Sequence, residues 1–249
     1  MSQNKLEYLW ESFEKVLCLT LNGDIERQKS ATNELYNVGL QNFKFFQGVK
    51  SDDKRIFELY QSKRVFTFPP CFRCGNEKCK CNNNVLIPSQ VSCFLSYIEI
   101  FEYAIKSPFN TFLVAEDDIQ IKHFNAKSLE KVINKSVLKE LKFFDLNIPC
   151  LLSMGSPKPI NIYKKLSWEK HNFKASNYLF GFNKSFAKLA KNEFEKFNTT
   201  SDLFIHQVLA SKAKSYSLSS HIATDYSWCS QTIRSSIHPK RGYVTQLKD

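Results

Sequence analysis

Two groups of residues in this 249-residue chain have types and spacings suited to chemistry. The first is Glu116-Asp117-Asp118. Three adjacent carboxylates repel one another, and a divalent cation would offset that penalty. In an extended chain alternate side chains share a side, so Glu116 and Asp118 would face one way and Asp117 the other. Glu116 and Asp118 would then offer hard oxygen ligands to Mn²⁺ or Mg²⁺, leaving coordination positions open for a diphosphate. The same triplet also reads as a solvated acidic turn that caps a following helix.

The second group is Cys71-Phe-Arg-Cys74-Gly-Asn-Glu-Lys-Cys79-Lys-Cys81, four of the eight cysteines within eleven residues. Four thiolates brought together by a turn at Gly75 and Asn76 suit tetrahedral Zn²⁺. Arg73, Lys78 and Lys80 would offset part of the charge. Such a site leaves no position for substrate, so its expected role is structural. Two local disulfides or an iron–sulfur cluster are the competing readings. Cys18, Cys93, Cys150 and Cys229 stand singly, and thiols in apolar segments behave as small hydrophobes.

The elements that must position these groups follow from hydrophobic period and turn chemistry. Residues 16–21 predict a buried strand, Asn22-Gly23-Asp24 a turn with Asp24 as N-cap, and Ile25 to Val38 a helix that Gly39 ends. Phe43 to Gln47 predicts a second strand, which completes a strand–helix–strand opening. Residues 50–88 read as irregular. A helix capped by Ser89 buries Val91, Phe94, Leu95, Ile98, Phe101 and Ile105, and ends at Pro108. Thr111 to Ala115 predicts a strand running straight into the acidic triplet. Strands at 149–154 and 177–182 and helices at 183–197 and 201–212 complete the reading. In open α/β sheets ligands bind beyond the carboxyl ends of strands, where this triplet falls.

Composition narrows the class. Seven glycines, eight prolines and 22 phenylalanines exclude a collagenous or disordered chain. No apolar run reaches the roughly 20 residues of a membrane span, and the N-terminus is too polar for a secretory signal. The expectation is a soluble, cytoplasmic globular protein. Residues 1–120 hold 14 basic and 15 acidic residues, whereas residues 121–249 hold 21 and 9. A basic half attracts polyanions, yet lysines at helical spacing, such as Lys184, Lys188 and Lys191, also describe an ordinary solvated surface.

Three stretches, taken together, resemble glycosyltransferase family 25, which includes lipooligosaccharide and collagen galactosyltransferase-like enzymes. Leu19-Thr-Leu-Asn-Gly-Asp24-Ile-Glu-Arg27, with Gly39 and 43–49, is similar to the family's opening strand, turn, helix and strand. Ser92-Cys93-Phe-Leu-Ser96-Tyr97 with Glu116-Asp117-Asp118 is similar to its G-C-x-L-S-H helix and E-D-D strand end. Asn177-Tyr178-Leu-Phe-Gly-Phe, the helix after it and Asp202 are similar to a later strand and a downstream aspartate. The likeness runs from about residue 16 to 212. Ser92 stands where glycine or alanine is usual, Tyr97 stands where histidine is usual, and the cysteine knuckle is not a general family feature.

The resemblance implies a Rossmann-like, GT-A type α/β fold over residues 1–249, with the zinc knuckle inserted at 69–88. It implies a metal-dependent inverting transferase that moves a hexose from UDP-galactose or UDP-glucose to a hydroxyl of a glycan, glycolipid or protein. Glu116 and Asp118, with Asp117 between them, would hold Mn²⁺ (or Mg²⁺) against the donor's diphosphate. Thr20, Asn22 and Arg27 would lie near the nucleotide. An inverting transfer needs a carboxylate to take the acceptor's proton, and Asp202 is the candidate, although an aspartate there also suits a helix N-cap. His221 or His238 could add a metal ligand, and Arg234, Lys240 and Arg241 could close over the diphosphate. The alternative is a non-catalytic zinc-containing nucleic-acid-binding protein, which leaves the acidic triplet unexplained because carboxylates repel phosphate.

Overall fold

The structure, a computed structural model, describes residues 4–66, 85–121, 124–134, 137–138, 141, 146–155, 165–171 and 177–225. The Cys71, Cys74, Cys79 and Cys81 knuckle lies outside these residues, as do Cys229, Arg234, His238, Lys240 and Arg241.

The chain opens with α1 (Lys5–Glu11), β1 (Lys15–Thr20), α2 (Ile25–Asn37), β2 (Lys44–Gln47) and α3 (Lys54–Gln61). Next come α4 (Pro88–Lys106), β3 (Thr111–Glu116), β4 (Ile119–Gln120), α5 (Ala126–Val132), β5 (Cys150–Ser153) and β6 (Trp168–Lys170). The rest is β7 (Leu179–Asn183), α6 (Lys184–Glu193), α7 (Ser201–Leu203), a π-helical stretch (Phe204–Leu209), β8 (Lys214–Leu218) and β9 (Thr224–Asp225).

Seven strands form one mixed sheet in the order β2-β1-β3-β7-β5-β8-β6. β1 runs parallel to both β2 and β3, and β5 runs parallel to β8. β7 is antiparallel to β3 and β5, and β6 is antiparallel to β8. Strands β4 and β9 make a separate two-stranded ladder. This is a mixed α/β architecture consistent with a Rossmann-like fold.

The inner strands are apolar runs because helices cover both faces of the sheet. On one face Val16, Cys18, Leu113 and Ala115 meet Leu9, Ala31, Leu35 and Leu129 of α1, α2 and α5. On the other, Leu17, Phe112 and Val114 meet Val91, Phe94, Phe101, Phe186 and Ala190 of α4 and α6. Phenylalanines dominate this second layer: the Phe112 and Phe182 rings stack with centroids 5.2 Å apart, and Phe101 meets Phe182 edge-on at 5.2 Å. Each ring buried here contributes roughly 1.5–3 kcal/mol relative to exposure.

Several boundaries differ from the sequence reading. Helix α4 begins at Pro88 rather than after Ser89, because proline's fixed φ suits the first helical position. The Gln90 side chain accepts from the Ile87 N–H at 3.0 Å and completes that start. Asp24 occupies the N-cap position of α2 but makes no side-chain cap bond. Gly39 follows α2 with φ +82°, as a left-handed helix end requires. The span 50–88 is not all irregular, for α3 forms there with Asp53 accepting from the Arg55 N–H at 2.9 Å. The expected helix at 201–212 is one short α turn followed by the π-helical stretch. Among the described residues, no helix is long and apolar enough to cross a membrane.

Candidate functional site

The order β2-β1-β3 has a topological consequence. The chain leaves β1 through α2 to reach β2 on one side, then returns through α3 and α4 to β3 on the other. The connections diverge between β1 and β3, and beyond the carboxyl ends of such a pair the sheet leaves a crevice for ligands. A cleft opens there, lined by Thr20, Arg27, Gly48, Cys93, Ser96 and the whole Glu116-Asp117-Asp118 triplet.

The triplet does not alternate as an extended strand would. Strand β3 stops at Glu116, and Asp117 and Asp118 turn out of it, with the Asp117 N–H bonded to the Leu19 carbonyl of β1 at 3.0 Å. Asp117 therefore does not face away. Its Oδ2 accepts from Thr20 Oγ1 at 2.7 Å, and its Oδ1 accepts from Arg27 Nε at 2.7 Å and from Arg27 Nη2. Arg27 Nη2 also lies 3.1 Å from Asp118 Oδ2. One guanidinium thus bridges two carboxylates.

Arg27, expected beside the nucleotide, is only 8% exposed and is spent on this pairing while still bordering the cleft. Burial alone would lower its pKa, but Asp118 and Asp117 outweigh that effect and hold it well above its ordinary value. Thr20 lines the same wall. Asn22 sits exposed in the turn after β1 and does not line the cleft.

Glu116 is held from the other side, where Tyr97 OH on α4 donates to its Oε1 at 2.7 Å. Burial, then the charge of Glu116, push the Tyr97 phenol well above its usual pKa, so it remains a neutral O–H donor. One turn earlier on the same helix, Cys93 lines the cleft and its Sγ lies 3.6 Å from Ser201 Oγ. Burial, then Glu116, raise the Cys93 thiol as well. Ser96 Oγ accepts from the Val49 N–H at 2.8 Å and donates to the Ser92 carbonyl at 2.7 Å, which ties the chain beyond β2 to α4. Gly48 is needed for that approach. A Cβ there would stand 3.1 Å from Leu19 Cδ1 and 3.2 Å from Ser96 Oγ.

Asp202 lies half-buried in the first turn of α7. It is not the N-cap, a position held by Thr200, and it does not line the cleft itself. Its neighbour Ser201 connects it to the cleft through Cys93 and accepts from Asn177 Nδ2 at 3.2 Å. His221 is buried and does not line the cleft.

Among the described residues, no three His, Cys, Asp or Glu side chains form a preassembled cation cage. The donor set still fits Mn²⁺ or Mg²⁺. All three carboxylates line the cleft; both Asp117 oxygens accept from Thr20 and Arg27, whereas Asp118 meets Arg27 through Oδ2 and Glu116 accepts from Tyr97 through Oε1. One or two carboxylates beside substrate phosphates is the usual arrangement for such cations.

Sequence reasoning named the acidic residues, Thr20 and Arg27 but not Gly48, Cys93 or Ser96 as parts of the site. For Cys93 and Ser96 the signal is a polar set with Tyr97, three and four residues from Cys93 on a mostly apolar helix. A second, open depression, with stacked His171 and His206 on its wall, lies by β6 and β8 at the far edge of the sheet. It holds none of the residues expected from sequence.

No curated protein matches the chain significantly. The family model for glycosyltransferase family 25, described as an LPS biosynthesis protein, matches residues 13–238. That span includes β1, the cleft and Asp202, and it covers far more than half of the sequence. The chain belongs to glycosyltransferase family 25.

Proposed function

We propose that the cleft between β1 and β3 binds a nucleotide-sugar donor, UDP-galactose or UDP-glucose, in a GT-A type transferase. The observation that carries this reading is the convergence of Glu116, Asp117 and Asp118 on one cleft at the switch point of the sheet. Arg27 and Thr20 organise the wall by fixing Asp117, and Gly48 lets the backbone beyond β2 come close. Glu116 and Asp118 would hold Mn²⁺ or Mg²⁺. Bound there, the cation supplies charge neutralisation for the departing nucleoside diphosphate.

In the inverting transfer we propose, the acceptor oxygen attacks C1 of the hexose from the face opposite the diphosphate. The new C1–O bond forms as the old one to the diphosphate breaks, through an oxocarbenium-like state. The acceptor's proton passes to the Asp202 carboxylate. The half-buried position of Asp202 beside Ser201, whose hydroxyl reaches the Cys93 wall, supports this role. The acceptor is a hydroxyl of a glycan, glycolipid or protein.

Thermal unfolding with a panel of nucleotide sugars, with and without Mn²⁺, tests the reading. A ligand selective for the native state raises the melting temperature by mass action. The expected result is a rise with one UDP-hexose that needs Mn²⁺ and is lost in Asp118→Ala. No rise with any donor, in protein that unfolds cooperatively, would refute it.

A further inference from the structure

Donors of two chemical kinds meet the carboxylates of the cleft. Asp117, and one oxygen of Asp118, meet a guanidinium that cancels charge. Glu116 meets a phenol, which orients a carboxylate through a charge-assisted hydrogen bond and adds no positive charge of its own. The Tyr97 side chain has no solvent-exposed surface, and its ring packs on Phe180 with centroids 5.9 Å apart. A buried tyrosine hydroxyl needs a hydrogen-bond partner. Here the partner is a half-buried glutamate on the wall of the cleft, nineteen residues away.

We propose that Tyr97 is a positioning residue: acting through Glu116 and never touching the ligand, it fixes that carboxylate in one orientation at the cleft while leaving its negative charge intact. This inference rests on the reading of the cleft as the donor site. A glutamate side chain free to rotate must be immobilised when a ligand binds, and that ordering corresponds to roughly three- to ten-fold in affinity. Tyr97 meets that ordering during folding. A cationic donor in its place would orient Glu116 equally well but would offset part of its charge, as Arg27 does at Asp118.

The test compares Tyr97→Phe with Glu116→Gln, using UDP as the probe in calorimetric titrations run once with Mn²⁺ and once with EDTA. Phenylalanine keeps the ring on Phe180 and removes only the hydroxyl. The expected result for Tyr97→Phe is a loss of roughly three- to ten-fold in the Mn²⁺-supported affinity, with the weaker binding in EDTA unchanged. A merely structural role would lower both affinities together, alongside the melting temperature, and that pattern overturns the proposal. If Glu116→Gln weakens Mn²⁺-supported binding but Tyr97→Phe binds like wild type, the positioning role falls and the donor reading survives. If Glu116→Gln changes neither affinity, the donor reading fails and the inference falls with it.

Discussion

Arg27 in the first turn of α2 and Asp117 just past β3 are 90 residues apart in sequence and form a buried ion pair, with Thr20 Oγ1 completing the shell of Asp117. The pair joins the connection that leaves β1 to the strand beside it, and so closes the end of the sheet where the cleft opens. Removing one partner of a buried pair leaves the other charge uncompensated, a loss of about 3–5 kcal/mol. Arg27→Ala is expected to lose that much in urea unfolding. Arg27→Lys is expected to lose less, since it keeps the charge but not the fork that reaches both Asp117 and Asp118. A loss below about 1 kcal/mol in Arg27→Ala would show that the pair does not hold the cleft together.

Substitution of the proposed base, Asp202, is the test that separates binding from chemistry. Asp202→Asn should bind UDP-hexose like wild type and lose at least ten-fold in transfer rate, because the amide cannot accept the acceptor's proton. Retention of more than about a tenth of the rate would place the base elsewhere.

Gly181 lies in the middle of β7 directly over Phe13. A Cβ built there would fall far inside contact distance of Phe13 Cε1, and the Phe13 ring is itself buried. Gly181→Ala must displace that ring, at a cost of about 1–3 kcal/mol for an overpacked core. Combining it with Phe13→Leu should recover part of the loss, since the two side chains contend for one space. Thermal melts of both single variants and the double variant measure this, and strict additivity would contradict it.

The thiols of Cys18, Cys93 and Cys150 are expected to resist alkylation in the native state. Burial first, and then neighbouring carboxylates, raise the pKa of Cys18 and Cys93, and only the thiolate reacts. Cys150 is reduced and buried in β5. Peptide mapping after iodoacetamide treatment at pH 8 should find these three labelled more than ten-fold more slowly than in denaturant. Rapid native labelling of Cys93 would mean that its cleft wall opens.

The spacing of Cys71, Cys74, Cys79 and Cys81 predicts about one equivalent of tightly held zinc in protein purified without chelator. Because metal affinity at such sites is coupled to folding, chelation should also lower the melting temperature. Less than about half an equivalent by elemental analysis would refute the zinc assignment.

Hydrophobic period and turn chemistry were enough to locate β1, α2, β2, α4 and β3 to within a residue or two, because strands buried on both faces and long one-sided helices leave strong patterns. The acidic triplet was legible at a strand end for the same reason. Short or half-polar elements were not. Trp168–Lys170 is too brief to show a period, and Lys214–Leu218 carries two serines and a lysine that only the neighbouring strands β5 and β6 make into a ladder. Helix α3 was missed although Asp53 in front of an amphipathic turn is a cap signal.

Tertiary structure alone decided what each carboxylate does. Alternation assigned Asp117 to the far side, but β3 ends at Glu116, and Arg27 and Thr20 draw Asp117 into the cleft wall. Arg27 carried only the placement beside the nucleotide that the resemblance implied, until the fold brought it against two aspartates some ninety positions away. Tyr97 read as a departure from a pattern until its hydroxyl was found on Glu116. Local sequence determines element type because backbone geometry and burial act over a few residues. Which charges meet, and whether they cancel or stay available to a ligand, depends on contacts between strands and helices that only the sheet order creates.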